Sequence, residues 1–506
     1  MDRQTDTNSG HPRIDSAFQI NRYMPWLVLA GAAAIGLAFF AYYYQHDLTM
    51  VHYDAKARLL VARRIFDNAT PGIQQMGLYW LPLPTLINLP LVTSDVLYRT
   101  GILSSLLSVA FFAGAAFFLY RLMFILRSDA FIAAAAAAIF VTTPAVLYVQ
   151  ATPLTESLYF FLFLGGSYFF ARFTLTEDRR DLAGASAAIA LATLVRYDGW
   201  SLWAGMNVMF VLYLLQCRQP WSVKRKYLVV FLLISSLGII SFQSYAFYVT
   251  GTPFPQQKDA RPLDPYSSGD LFKSFRIYVQ CAGDLSGRLV YWAAALGIAI
   301  FFTLKRFKPP YLAAYALLHP IPLFVFAYFN GHPYRVRYSV VMVPAIAAFA
   351  TVWWPARPRH WAKALLVALL VANAVYASPK RQRLLKEATY HVPEINEREQ
   401  AIEFMNRHYD GRPVLISMGW LAPFLHDWGI PLRYTVHEGV YATWDRALSR
   451  PADVVDWIVV EDKDALDQVR VENPNFLRGF KPALRLSNLA IYQKDPHAAL
   501  GAPLNP

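Results

Sequence analysis

Two acidic residues stand where a carboxylate could take a proton from a substrate. Asp54 follows the first long apolar segment, in the stretch YDAKARLLVARR, and Glu156 lies in TPLTES between two later apolar segments. A carboxylate at a membrane surface can act as general base toward a hydroxyl group, and two carboxylates that meet can share a divalent cation such as Mg²⁺ or Mn²⁺. The structural alternative is that Asp54 caps a helix and pairs with Arg58 four residues later, while Glu156 interacts with the dipole of its own helix.

Basic residues recur on the same predicted membrane surface, where a buried charge requires a partner. Arg335 and Arg337 follow His332 in GHPYRVRY, and two arginines so placed suit bidentate binding of a phosphate; the alternative is that they reach bulk lipid headgroups. The sequence leaves two roles open for Arg58: an ion pair with Asp54 or binding of the phosphate. The candidate phosphate-binding residues are Arg58, Arg196, Lys258, Arg335 and Arg337. The candidate substrate-lining residues are Tyr53, Trp80, His332 and Tyr338.

The elements that must position these residues are predominantly membrane-spanning helices. The chain has 506 residues, of which 56% are hydrophobic and 16% charged, with a mean hydropathy of +0.29. Such a composition, spread along the chain, predicts a polytopic α-helical membrane protein. About eleven apolar segments of membrane length can be marked: 23–44, 101–124, 130–149, 156–173, 182–198, 200–216, 227–249, 288–304, 311–329, 337–354 and 361–377.

The distribution of charge gives the orientation. Lysines and arginines concentrate in every second loop, for example at Lys305 and Arg306, so the positive-inside rule predicts a cytoplasmic N-terminal tail at 1–22. The first loop, 45–100, then lies outside the cytoplasm. The net charge of +13 belongs to the membrane portion, which argues against a nucleic-acid partner. We expect a multi-pass protein of a bacterial inner membrane in contact with its lipids.

The polar stretch 379–506 is predicted to be a small α/β domain outside the cytoplasm, following a membrane domain at 23–378. It contains 16 basic and 17 acidic residues after position 379 and no apolar run of membrane length. Helices are predicted at 394–408 and 463–471, and strands at 413–417, 456–461 and 484–492, the last as one or two strands.

The stretch around Asp54 is predicted to be a helix lying in the membrane interface. Ala55, Leu59, Ala62 and Phe66 fall on one side, which we expect to face acyl chains. The helix is expected to end near Asn68, because Thr70-Pro71-Gly72 cannot continue it.

Taken together, the motifs YDAKARLLVARR, TPLTES and RVRYSVVMVP, within this layout, resemble the C-type (GT-C fold) membrane glycosyltransferases. That superfamily includes the protein O-mannosyltransferases and the lipid A aminoarabinose transferase. The first-loop motif lacks the paired Asp-Glu of many protein O-mannosyltransferases, and the polar domain lacks the Trp-Trp-Asp motif of oligosaccharyltransferases.

The resemblance implies a transferase that moves a hexosyl or pentosyl group from a polyprenyl-phosphate donor to a lipid, glycan or protein acceptor with inversion. It implies Asp54 as general base, Glu156 as second acid and the arginines on the phosphate. Two other interpretations are a transporter or lipid flippase, and a non-catalytic assembly subunit. The first would show ionisable residues at mid-membrane depth and inverted repeats. The second would hold if Asp54, Glu156 and Arg335 did not converge.

Overall fold

The structure, a computed structural model, describes residues 23–253, 268–305, 307–354, 359–375, 383–389 and 392–497. Most of the described chain is helical, and a helix or a broken pair of helices lies at each of the eleven apolar segments. These helices are Met24–Gln45, Ile102–Arg127, Ala130–Val141, Pro144–Gln150, Glu156–Thr176, Arg179–Thr193, Asp198–Gln216, Trp221–Thr250, Arg288–Lys305, Leu312–Ala316, Pro320–Phe329, Val336–Ser339, Val343–Val352 and His360–Val375. A further amphipathic helix, Leu271–Ser286, lies between them.

Five of these helical segments are long and apolar enough to cross a membrane: Met24–Gln45, Ile102–Arg127, Glu156–Thr176, Trp221–Thr250 and Leu312–Phe329. A sixth results if Ala130–Val141 and Pro144–Gln150, which are bent by 68° at their junction, form one span. The bend has a local cause, since Pro144 cannot donate the backbone hydrogen bond that would continue the preceding helix. The protein is therefore an integral membrane protein, and the count of eleven spans stays a prediction.

The first loop folds into several short helices. They are Tyr53–Arg63, Pro82–Asn88 and Asp95–Thr100, with 3-10 turns at Ile73–Met76 and Leu91–Thr93. The helix that carries Asp54 ends at Arg63, so the expected end near Asn68 is wrong. Beyond it the chain turns, and the Asn68 side chain bonds to Gln75 at 3.1 Å and to His437 at 3.0 Å.

The C-terminal part contains a five-stranded mixed sheet with helices around it. The strands are β1 (Val414–Ile416), β2 (Thr435–Val436), β3 (Trp457–Glu461), β4 (Phe480–Arg485) and β5 (Leu489–Lys494). The helices are Arg383–Ala388, Val392–His408, Met418–Trp428, Ala442–Ser449 and Ala465–Glu472. The order is β2-β1-β3-β5-β4, with β2, β1 and β3 parallel and the β3-β5-β4 pairs antiparallel. The predicted strand segment 484–492 forms the end of β4 and the start of β5. The sequence did not predict β2, because a strand of two residues is too short to show an alternation of apolar and polar side chains.

Alternate residues of the central strands enter two different cores, as the two-residue period of a strand requires. Ile416, Val459 and Ile491 lie in a core with the helix Tyr53–Arg63, whereas Leu415 and Ile458 lie in a core on the other face of the sheet. Within the first core, the buried residues of the Asp54 helix are Ala57, Leu59, Leu60 and Ala62. Leu59 and Ala62 therefore face the C-terminal sheet and its helices, and Ala55 is buried in the core of the membrane part, so the prediction that this side faces acyl chains is wrong for these three residues. Phe66, the fourth residue of the predicted side, is 41% exposed.

Candidate active site

The helix Tyr53–Arg63 is fixed at its start by contacts with the C-terminal part. The Tyr53 hydroxyl donates to the carbonyl oxygen of Gly419 at 2.5 Å, and Lys56 forms an ion pair with Asp427. At the helix start, the backbone N–H of Asp54 donates to Nδ1 of His52 at 3.1 Å. The cap of this helix is thus His52 and not Asp54, the residue considered from the sequence, and the Asp54 carboxylate is left to make other contacts.

Asp54 begins a continuous chain of five alternating charges. Arg337 Nη1 lies 2.6 Å from Oδ2 of Asp54, and Arg337 Nε lies 2.9 Å from Oε1 of Glu156. The same Glu156 oxygen accepts from Nη1 of Arg196 at 2.6 Å, and Nε of Arg196 donates to Asp198 at 2.7 Å. Residues separated by almost 300 positions in the sequence therefore meet in one cluster.

Burial explains why these charges alternate. Glu156 is 0% exposed, and Arg196, Asp198 and Arg337 are each under 9% exposed. Removing a charge from water is costly unless an opposite charge and hydrogen bonds replace the solvent. Glu156 and Asp198 are also the first residues of their helices, where a carboxylate interacts favourably with the helix dipole. Of the five charged side chains, only that of Asp54, which is 21% exposed, is partly accessible from outside the cluster.

The charges around Asp54 lower its pKa. Burial alone would raise the pKa of Asp54, but the positive charge of Arg337, with a smaller contribution from Arg58, brings it well below the ordinary value of an aspartate. Burial lowers the pKa of His52 to about 4, and the charge of Arg337 acts in the same direction. The His52 ring is therefore neutral near pH 7, and because its Nδ1 accepts a hydrogen bond, its proton resides on Nε2.

Arg58 does not pair with Asp54, although the two residues are four apart on one helix. Its guanidinium carbon lies 4.5 Å from the centroid of the Trp80 ring, a cation–π arrangement. Within the described ranges no carboxylate lies at ion-pair distance from it, and its Nε is buried without a hydrogen-bond partner. Burial lowers the pKa of Arg58 to about 10, so that this buried group is still charged at neutral pH and available to an anion.

The remaining predicted site residues are more dispersed. Arg335 is exposed, at the start of the short helix that carries Arg337. His332 is half-buried and bonded to the backbone of Pro333 at 2.9 Å, and the Tyr338 ring stacks on Phe324 with centroids 5.2 Å apart. Lys258 lies outside the described residues. Asp54 and Glu156 thus converge through Arg337 rather than through Arg335.

Two functional candidates come from the structure. Asp198 lies in the sequence RYDGW at 196–200 and forms the last ion pair of the charge chain. Its position two residues after Arg196 was the feature of the sequence that indicated an ion pair. His52 had no periodic pattern to identify it, and the only signal was its position two residues before Asp54 in the sequence.

The arrangement does not fit a divalent cation held jointly by Asp54 and Glu156. Their carboxylates are bridged by the guanidinium of Arg337, which already supplies the positive charge between them. Among the described residues, no group of three or more His, Cys, Asp or Glu side chains is arranged to hold a metal ion. A shared ion would first have to displace Arg337.

The sequence matches no protein-family model and no curated protein. The fold, however, is similar to the crystal structure of ArnT from Cupriavidus metallidurans bound to undecaprenyl phosphate. The similarity has a TM-score of 0.57 at 15% sequence identity and covers 94% of this chain and 99% of that chain. ArnT is a GT-C aminoarabinose transferase, so the predicted resemblance to the C-type glycosyltransferases is confirmed at the level of the fold.

Proposed function

We propose that this protein is a membrane glycosyltransferase that moves a sugar from a polyprenyl-phosphate donor to an acceptor, with inversion at the anomeric carbon. The observation that carries the proposal is that one helix holds both a partly accessible carboxylate, Asp54, and a buried cation that lacks an acidic partner among the described residues, Arg58. These are the two charges that the reaction needs: a base for the acceptor and a cation for the leaving phosphate. The fold shared with ArnT, whose structure contains undecaprenyl phosphate, supports a donor of this class.

In the proposed reaction, Asp54 takes the proton of an acceptor hydroxyl group. The acceptor oxygen then forms a bond to the anomeric carbon while the bond from that carbon to the phosphate oxygen breaks. The electron pair leaves with the polyprenyl phosphate. Arg58 and Arg337 stabilise the negative charge that accumulates on this phosphate, which is most effective in a site that excludes water.

The other predicted site residues take supporting roles in this proposal. Arg196 adds positive charge to the phosphate site and is held there by its ion pair with Glu156. Glu156 holds Arg196 and Arg337 in place and does not exchange a proton. Trp80 orients Arg58, and Tyr53 anchors the helix of the base. Arg335, His332 and Tyr338 belong to the donor and acceptor approach, and a phosphate-binding role for Lys258 stays a prediction from the sequence. The sugar is a hexose or pentose derivative, and the acceptor is a lipid, glycan or protein.

The proposal includes an orientation. All eleven apolar segments span the membrane, the N-terminus is cytoplasmic, and the Asp54 site and the C-terminal sheet lie on the opposite side of a bacterial inner membrane. A lipid-linked donor suits that side because its phosphate resides at the interface while its tail remains between helices. Glu156 and Asp198 lie at helix starts and not in helix centres, which favours a surface reaction over a transport pathway.

The test uses purified protein and a panel of polyprenyl-phosphate sugars, with the release of polyprenyl phosphate as the measurement. We expect Asp54→Asn to lower turnover by at least about 100-fold, the lower range for losing a general base. The matched control is Asp95→Asn, which changes an acid of the same loop whose side chain is 73% exposed and should leave turnover nearly unchanged. Near-normal turnover in folded Asp54→Asn protein would refute the assignment of the base.

A further inference from the structure

Arg337 holds two carboxylates of very different accessibility. Its Nε contacts the fully buried Glu156 at 2.9 Å, and its Nη1 contacts the partly exposed Asp54 at 2.6 Å. Glu156 is itself held from the other side by Arg196 at 2.6 Å. The inner contact is therefore anchored on both sides, whereas the outer contact lies at the open end of the charge chain.

We propose that Arg337 is an exchangeable counterion, which leaves Asp54 for the phosphate of the incoming donor and thereby frees Asp54 to act as base. This inference rests on the proposed function and adds an order of events to it. The donor binds first, and only the donor complex contains a competent base for the acceptor. Without donor, Asp54 is kept inactive by its pairing with Arg337.

The chemistry requires some such exchange. A carboxylate in close contact with a guanidinium is a weak base, because protonation would break a favourable ion pair. In accordance with this, the pKa of Asp54 is well below its ordinary range, where burial acts to raise it and Arg337 more than compensates. An efficient general base needs a pKa nearer to the working pH. Drawing Arg337 toward a phosphate leaves the effect of burial uncompensated and raises the proton affinity of Asp54.

The charge count of the cluster agrees with this exchange. Three acids, Asp54, Glu156 and Asp198, face three arginines, Arg58, Arg196 and Arg337, so the resting cluster is neutral. A bound phosphodiester adds one negative charge in a largely buried site. Neutrality returns when Asp54 receives the proton of the acceptor. Donor binding and proton binding at Asp54 must therefore favour one another, since linkage is reciprocal.

Other groups that face Asp54 do not explain a proton taken up near neutral pH. Glu156 forms ion pairs with two arginines, and Arg58 and Arg337 are cations. His52 is the remaining titratable neighbour. Burial lowers the pKa of His52 to about 4, so the ring is predominantly neutral in the free protein near neutral pH.

The test measures proton uptake by isothermal titration calorimetry in buffers of different ionisation enthalpy, with undecaprenyl methyl phosphate as the probe. This phosphodiester has the donor's lipid and charge, contains no transferable sugar and does not itself titrate above about pH 3. We expect binding with net proton uptake that increases as the pH is lowered from about 8 to about 5. In Asp54→Asn the probe should still bind, and the uptake should vanish.

Arg337→Gln supplies the second control. Asp54 then has no counterion to lose, so we expect weaker binding of the probe and an uptake much smaller than in the unmodified protein. Binding to the unmodified protein without proton uptake would overturn the exchange while leaving the glycosyltransferase proposal intact. Uptake that persists in Asp54→Asn would assign the proton to His52 and overturn it as well. Absence of any binding would refute the proposed function and, with it, this inference.

Discussion

The guanidinium carbon of Arg58 lies 4.5 Å from the centroid of the Trp80 ring, and in the described part of the chain no carboxylate pairs with it. An unpaired buried arginine is costly, and a protein retains one where an anionic ligand completes the site. The aromatic ring stabilises the planar guanidinium and fixes its direction. Arg58 is thus oriented for a ligand by an uncharged partner.

We expect Arg58→Ala to raise the KM for a polyprenyl-phosphate donor by about 10- to 100-fold, the range for losing a charged hydrogen bond. Arg58→Lys should recover only part of the affinity, since lysine retains the charge but loses the bidentate geometry and the stacking on Trp80. Steady-state kinetics with varied donor concentration measure both. An unchanged KM in Arg58→Ala would exclude Arg58 from the donor site.

Glu156→Gln should destabilise the protein more than it alters the chemistry. The substitution removes the acid that two buried arginines share, and breaking a buried ion pair costs about 3–5 kcal/mol. Thermal unfolding in detergent measures this loss. Glu403→Gln is the comparison, because it breaks an exposed pair with Arg407 that is worth about 0–1 kcal/mol. A fully stable Glu156→Gln protein without turnover would instead make Glu156 a catalytic acid.

Chelation provides a third prediction. Since Arg337 bridges the two carboxylates that would hold a shared cation, we expect EDTA to leave donor turnover unchanged and added Mg²⁺ or Mn²⁺ to have no effect. The measurement is release of polyprenyl phosphate with and without EDTA. Activity that is lost on chelation and restored by either ion would contradict this expectation.

The pH dependence of stability should reveal the pairing of Asp54. Its pKa is lowered in the folded protein because Arg337 outweighs the effect of burial. The resulting stabilisation is full above the unfolded pKa of about 3.9 and is lost as the pH falls toward the folded value. The difference in unfolding free energy between the unmodified protein and Asp54→Asn should therefore shrink below about pH 4. Thermal unfolding at a series of pH values checks this, and a constant difference would argue against the pair.

The contact between the Asp54 helix and the C-terminal sheet gives a fifth prediction. Leu60 is fully buried in their joint core, so Leu60→Ala should cost about 2–5 kcal/mol and lower turnover by loosening the helix that holds the base. Ile73→Ala is the control, since Ile73 belongs to the same loop and is 49% exposed. Equal unfolding temperatures for the two variants would show that this core does not hold the helix.

The sequence by itself determined the helices and most of the sheet. In lipid, an apolar run of membrane length can form all its backbone hydrogen bonds within itself only as a helix. Helices lie at all eleven predicted segments. In the C-terminal part, short apolar segments such as Val414–Ile416 and Trp457–Glu461 are strands as predicted. Asp54, Glu156, Arg196 and Arg337 were also identified as candidates, because charge beside apolar segments is conspicuous in any membrane protein.

Only the tertiary structure decided which charges meet. The spacing of Asp54 and Arg58 allowed a pair within one helix and left open whether Arg58 binds phosphate instead, but Arg337 lies closer to Asp54, and Arg58 turns to Trp80. Helical spacing describes only neighbours on the same helix, whereas the nearest countercharge is brought by an element almost 300 residues away. Likewise, an apolar helix face cannot distinguish lipid from protein by composition, because both are apolar. The packing of Leu59 and Leu60 against the C-terminal core therefore followed from the fold alone.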